Sequence, residues 1–497
     1  MFYTSTRDKS VSVTSAQAIT MGISKDGGLF VPQEFPKISA SDIESLAKLD
    51  YIGRAKSILS MYLTDFTEEE LDKCVNGAYE KGKFSSDVVA PLVALDNGTE
   101  VLELWKGPTC AFKDMALQLL PYLLTTASQK AAPGKQIVIL VATSGDTGKA
   151  ALEGFKDVEG TKILIFYPND GVSEMQKLQM TTQEGDNVGV CAIVGNFDDA
   201  QSGVKEIFTN SEIAKRLEQS NMMFSSANSI NWGRLVPQIV YYVSAYCDMV
   251  LKGTLENGKP MNVVVPTGNF GNILAAYYAK KMGVPIGKLV CASNANNVLT
   301  DFLNTGKYDR NRAFYTTTSP SMDILISSNL ERLLFDLCGK DDEQLKSWMS
   351  ALSKDGIYDV GSDMLDKIKE LFCAGFCDDE GAKLAIKETF ENNNYLCDTH
   401  TAVAVNVCNQ YKKDTGDRNP IVIASTASPY KFSKSVLEAL QPVPSDADDF
   451  EIADILAKKT GTQIPPQLAQ LKSKHVRFTQ VCEKDTMEQQ VFDMLKI

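Results

Sequence analysis

The residue with the most chemical promise is Lys113, within Pro108-Thr-Cys-Ala-Phe-Lys-Asp-Met-Ala-Leu-Gln118. An apolar Ala-Phe pair precedes it, and Met115, Leu117, Leu119 and Leu120 follow with helical spacing. A cation at a helix N-terminus is electrostatically misplaced. That placement lowers the pKa of an amine, and a neutral amine is the form that attacks carbonyl groups. Two readings stand side by side at this point: a solvated lysine opening a helix, which spacing alone favours, and a reactive amine. Two loops offer a second kind of chemistry. Thr267-Gly-Asn-Phe-Gly-Asn272 follows an apolar run and leads into Ile273-Leu-Ala-Ala, and Thr143 to Thr147 has the same placement with three hydroxyls. Backbone N–H groups in such turns, aided by the helix dipole, suit an anion; a plain tight turn is the competing reading.

Generic nucleotide signatures fail. Gly253 and Gly258-Lys259 have P-loop spacing, but Pro260 stands where a magnesium-binding Ser or Thr is needed, and no GxGxxG follows a strand. Metal chemistry is also disfavoured. His400 and His475 are the only histidines, and Cys373 and Cys377 form a lone CxxxC among eleven scattered cysteines. No metal is expected, and the cysteines read as reduced core thiols of a cytoplasmic protein.

The elements that must position these residues follow from pattern. Ile137–Val141, Lys162–Tyr167, Asn262–Val265, Leu289–Ala292 and Ile421–Ala424 are continuous apolar runs, as expected for strands covered on both faces. They alternate with helical stretches, which predicts βαβ units and a largely parallel sheet in an α/β fold. Residues 1–95 read as a small helical unit, with helix starts at Ser41-Asp-Ile-Glu44 and Thr67-Glu-Glu-Glu70. Residues 96–497 form the remaining region, in which 328–400 carry mostly helical signals, and the tail around Gln463-Ile-Pro-Pro466 reads as helices and loops.

Length and composition bound the function. The 497 residues amount to roughly three folding units by ordinary domain sizes. Fifty basic against 63 acidic side chains leave a net charge of −13, which argues against nucleic acid or an anionic membrane as partner. No apolar run is long enough to span a bilayer, and the polar start MFYTSTRDKS does not resemble a signal peptide.

The stretch around Lys113 resembles the cofactor-lysine motif of the threonine synthases, pyridoxal phosphate enzymes of fold type II, in their longer microbial and fungal-type branch. Further likenesses occur in that family's order: GISKDGGLFVP at 22–32, SGDTG at 144–148, EMQKLQM at 174–180, GNFDDAQ at 195–201, NSINWGR at 228–234, PTGNFGN at 266–272 and SPSMDIL at 319–325. The resemblance implies a tryptophan synthase β-like fold of two open α/β domains with the cofactor between them, preceded by a small N-terminal domain. It implies that Lys113 holds pyridoxal 5'-phosphate covalently and then works as a mobile acid and base. By the same resemblance, Gly268, Asn269, Phe270, Gly271 and Asn272 cradle the cofactor phosphate, and Thr426 faces its pyridine nitrogen. Asp146 stands where many relatives of the fold carry an asparagine near the ring hydroxyl. Thr143, Ser144 and Thr147 match the loop for the substrate carboxylate, and Asn228, Ser229 and Arg234 the site for its phosphate. Ser428 departs from the family's usual histidine, and His400 is structural or functional with equal weight.

The implied reaction turns O-phospho-L-homoserine and water into L-threonine and phosphate, the last step of threonine biosynthesis. A phospho-lyase of the same fold, releasing 2-oxobutyrate, ammonia and phosphate, is the first alternative. A binding protein on an inactive scaffold is the second. A small-molecule substrate and a monomer, rather than a homodimer, complete the expectation.

Overall fold

The computed structural model describes residues 1–497 apart from Asn97, Ser144 and Gly171. Two open sheets organise the region after the N-terminal unit. In the larger, the strands lie in the order Phe372–Phe376, Ile286–Ser293, Met261–Pro266, Ile421–Ser425, Thr99–Glu103 and Leu92–Ala94; only the last pair is antiparallel. The smaller runs Val481–Glu483, Val188–Val194, Thr161–Pro168, Gln136–Ala142 and Met222–Ser225, all parallel. The expected α/β class with two open sheets is what the chain adopts. All five apolar runs are strands, extended at their ends. Strands such as Met261–Pro266 and Ile421–Ser425 are buried at every position, as sheets covered on both faces require.

Each sheet reverses its strand order once. From Gln136–Ala142 the chain moves outward through Thr161–Pro168 and Val188–Val194, then returns to the opposite side as Met222–Ser225. From Met261–Pro266 it moves outward to Phe372–Phe376, then returns as Ile421–Ser425. Ligands of open α/β sheets bind beyond the carboxyl ends of the strands at such reversals. The loops there are 143–148, 226–231, 267–272 and 426–428. Helix Trp232–Lys252, buried along most of its length, packs beside helices Gly271–Met282 and Tyr51–Tyr62.

Residues 1–95 are not purely helical. Asp8–Val13, Tyr3–Ser5 and Phe30–Pro32 form a three-stranded antiparallel sheet alongside helices Ser15–Met21, Ala40–Ala47, Tyr51–Tyr62 and Glu68–Tyr79. Two of these strands have three residues, too few to show a period. The Thr67 capping box is present, with Glu70 returning the bond. The earlier helix starts two residues ahead of expectation, because Asp42 closes a box with Ser39 rather than Glu44 with Ser41. Segment 328–400 is mostly helical but also supplies the edge strand Phe372–Phe376, and the tail adds Val481–Glu483 to the smaller sheet. No helix among the described residues is long and apolar enough to cross a membrane.

Candidate active site

Lys113 precedes the short helix Asp114–Leu117 and is half-buried. Its loop is stitched to the 426–428 loop by two backbone bonds: Phe112 N–H donates to Thr426 O (2.7 Å) and Ser428 N–H to Cys110 O (3.0 Å). The lysine and Thr426 are therefore held in fixed relation. Lys113 Nζ has only a loose contact with Ser321 Oγ (3.5 Å) and lies 5.0 Å from the Phe112 ring centre. Burial pushes its pKa down; Asp146 pulls it up, Lys431 and Arg234 depress it further, and Asp114 opposes them. Half-buried and without an ion-pair partner among the described residues, Lys113 is compatible with the reactive-amine reading.

Behind it sits Asp114, fully buried, accepting from Thr109 N–H (2.8 Å) and Thr109 Oγ1 (2.7 Å). Burial raises its pKa to about 6 against the pull of those two bonds and of Lys431.

The loop after Met261–Pro266 has a geometry suited to an anion. Phe270 adopts a left-handed conformation (φ 62°) and opens helix Gly271–Met282 with no side-chain cap. No backbone N–H from Gly268 to Asn272 donates to an acceptor among the described residues. Asn272 Oδ1 accepts from the hydroxyls of Tyr241 (2.8 Å) and Tyr242, which leaves its buried Nδ2 without a partner. A Cβ at Gly268 would stand 2.7 Å from Ser321 O, so only glycine lets the two loops approach. From behind, Ser327 Oγ donates to Gly268 O (2.8 Å) and Asn329 Nδ2 to Asn269 O (3.0 Å). Unpaired N–H groups, a helix N-terminus and an orphan amide suit a phosphate.

A second arrangement suited to an anion lies at the reversal of the smaller sheet. Arg234 is 4% exposed; one nitrogen donates to Ala227 O (2.6 Å), its Nε has no partner, and no carboxylate pairs with it among the described residues. Burial pushes its pKa down to about 10, with Tyr241 opposing. A buried guanidinium without an anion is costly, so its surroundings are built for a ligand that brings one. Ser229 is half-buried and Asn228 exposed on the loop before it. Asn231 fixes that loop, accepting from Gly233 N–H (2.8 Å) and donating to Ile19 O (3.0 Å) and Ser226 O (2.8 Å).

In the 143–148 loop, Thr143 spends its hydroxyl internally: Oγ1 accepts from Gly145 N–H (3.1 Å) and Gly148 N–H (3.0 Å) and donates to Gly145 O (3.2 Å). Thr147 is half-buried on the first turn of helix Asp146–Phe155, and Ser144 lies outside the described residues. Asp146 forms a buried ion pair with Lys431 (2.8 Å). Burial alone would raise its pKa, but Lys431 and then Lys113 hold it well below the usual carboxylate range.

Several participants carry no assigned role from the sequence, although Ser321 lies in SPSMDIL and His400 reads as structural or functional. Lys431 is one. Ser321 and His400 are a pair: Ser321 N–H donates to His400 Nε2 (3.2 Å), and His400 Nδ1 lies 2.8 Å from Asp398 Oδ2. With Nε2 accepting, the ring proton belongs on Nδ1, so Asp398 sets the tautomer and His400 holds the loop that touches Lys113. Arg332 is another. Fully buried, it donates to Phe30 O (3.0 Å), Ile230 O (2.6 Å) and Asn329 Oδ1, joining the N-terminal unit, the Arg234 loop and the support of the anion cradle.

This geometry can be set beside known proteins. Residues 2–79 match the family described as "Threonine synthase N terminus", 101–427 "Pyridoxal-phosphate dependent enzyme" and 401–491 "Threonine synthase, C-terminal". The threonine synthase of Pseudomonas aeruginosa is 36% identical over 479 residues, covering 95% of this chain and 97% of that protein. The chain belongs to the threonine synthase family. Threonine synthase-like 1 of Homo sapiens is 40% identical over 436 residues, 86% of this chain, and the match spans 58% of that longer relative. The crystal structure of a PLP-bound threonine synthase from Brucella melitensis superposes with a TM-score of 0.89 at 35% identity, covering 100% of both chains. The fold type II architecture of the threonine synthases is thus this chain's fold. Most described positions named by resemblance fall in the loops at the two sheet reversals; Arg234 stands on the first turn of helix Trp232–Lys252, His400 on helix Thr399–Thr415, and Lys113 in a loop tied to residues 426–428.

Proposed function

We propose that the chain is a pyridoxal-phosphate-dependent threonine synthase that converts O-phospho-L-homoserine and water to L-threonine and phosphate. One observation carries the reading: two separate anion sites, the Gly268–Asn272 cradle and the unpaired Arg234, serve the crevice that holds the half-buried amine of Lys113. One phosphate belongs to the cofactor. The other must then come from the substrate, and a carbon–oxygen lyase acting on a phosphorylated amino acid uses both.

In this reading Gly268 to Asn272 hold the cofactor phosphate, Lys113 holds the aldehyde carbon, Thr426 meets the pyridine nitrogen and Asp146 lies toward the ring hydroxyl. When bound, the cofactor supplies an electron-withdrawing ring that makes protons at the substrate's Cα and Cβ removable. Lys113 Nζ, the amine that would hold the cofactor aldehyde, would also take the Cα proton and return protons to carbon. Arg234, with Asn228 and Ser229, fixes the γ-phosphate and takes up its charge as it leaves. Thr143 shapes the loop whose amides, with Thr147 and Ser144, meet the α-carboxylate. His400 and Asp398 hold Ser321 against Lys113. The proposal includes a small-molecule substrate, a monomer and a cytoplasmic location.

The test is product identity. Purified protein given O-phospho-L-homoserine should release threonine and phosphate in equal amounts. 2-Oxobutyrate and ammonia in place of threonine would make it a phospho-lyase, and no turnover would overturn the reading.

A further inference from the structure

The carboxylate that bears most strongly on Lys113 poses an electrostatic problem. Asp146 is buried at the N-terminus of helix Asp146–Phe155, faces Lys113, and stays ionised. A lone buried carboxylate there would hold a proton on Lys113, because an opposite charge within a few ångströms favours the ammonium form. A protonated Lys113 neither attacks an aldehyde nor removes a proton from carbon.

We propose that Lys431 is a positioning residue for the reactive amine: its buried ion pair with Asp146 cancels the charge facing Lys113, so that amine can lose its proton to water and act as base. The geometry is specific. Lys431 Nζ lies 2.8 Å from Asp146 Oδ1 and donates to Thr109 O (3.0 Å), and its side chain is 1% exposed. Thr109 in turn holds Asp114, the carboxylate next to Lys113 in sequence. Lys431 thus ties the Lys113 loop, the 143–148 loop and its own segment to one cation.

The segment carrying it is built for placement. Lys431 lies in the turn Pro429–Phe432, whose N-terminus is capped by Ser428: Tyr430 N–H donates to Ser428 Oγ (3.4 Å), and Lys431 N–H to Ser428 O (3.1 Å). Ser428, the departure from the family's usual histidine, thereby presents Lys431. The charged groups bearing on Lys113 are Asp146, Lys431, Arg234 and Asp114. Of these, Lys431 alone is in ion-pair contact with Asp146.

This inference rests on the reading of Lys113 as the cofactor's amine, and the test separates the two. In full-length protein stripped of cofactor, reductive methylation by formaldehyde is followed at Lys113 by peptide mass across pH, because its rate tracks the neutral amine. Lys431→Gln should raise the midpoint by about one pH unit, Asp146→Asn should lower it comparably, and the double variant should return close to wild type. If Lys431→Gln fails to fold, the double variant against Asp146→Asn carries the same comparison, with the double about one unit higher. An unmoved midpoint in either comparison overturns the role of Lys431. Pyridoxal phosphate fixed by borohydride in wild-type protein at lysines other than Lys113 overturns the reading beneath it and the inference with it.

Discussion

At the residue scale the site is a set of charges whose partners have been arranged or withheld. Among the described residues, neither the buried Arg234 nor the half-buried Lys113 has a carboxylate in ion-pair contact. Asp146 has an ion-pair partner in Lys431. Replacing Arg234 with Gln should raise KM for O-phospho-L-homoserine by roughly tenfold to a hundredfold, the worth of one to two charge-assisted bonds, and leave cofactor binding intact. Steady-state kinetics beside a cofactor titration checks it. Asp114 predicts a pH effect of opposite kind. Its folded pKa of about 6 lies above the unfolded value of 3.8. The proton is therefore held more tightly in the folded state, and that contribution to stability is lost as pH rises through about 6. Asp114→Asn should remove this loss, so its Tm relative to wild type climbs between about pH 4 and about pH 7, by up to about 3 kcal/mol of stability. A constant Tm difference across that range would contradict it.

At the element scale, four loops at two strand-order reversals do the work, and small residues set how closely they approach. A Cβ at position 268 would meet the backbone oxygen of Ser321 at 2.7 Å, a contact that neither loop absorbs without moving. Gly268→Ala should therefore weaken pyridoxal phosphate binding by tenfold or more with circular dichroism unchanged, as a spectroscopic titration would show. Much of this level was legible in the sequence. Continuous apolar runs marked five strands, and Gly/Asn/Thr clusters after them marked two of the four loops, the other two being named only through the family resemblance. Strand Thr99–Glu103 escaped because two glutamates interrupt it. Both carboxylates are buried and paired, Glu103 with the neighbouring Lys106 (2.9 Å) and Glu100 with Lys252 (3.5 Å), a partner far along the chain that local pattern cannot anticipate. The same holds for Lys431 and for the Asp398–His400–Ser321 chain: each acts through a contact between segments far apart in sequence.

At the scale of the whole molecule, Arg332 joins what the separate elements cannot join alone. Its guanidinium reaches Phe30 in the N-terminal unit, Ile230 in the Arg234 loop and Asn329 beneath the anion cradle. Arg332→Lys cannot satisfy three acceptors in fork geometry, and each buried carbonyl left unpaired costs about 1–3 kcal/mol. The variant should lose several degrees of Tm and bind substrate more weakly; wild-type values for both would show that the three parts hold their places without it. The most direct test of the account follows the cofactor itself. Wild-type protein loaded with pyridoxal phosphate, reduced with borohydride and digested should carry the pyridoxyl mass on the peptide containing Lys113. The same mass on the peptide containing Lys431, or on no lysine, would contradict the assignment on which every other role depends.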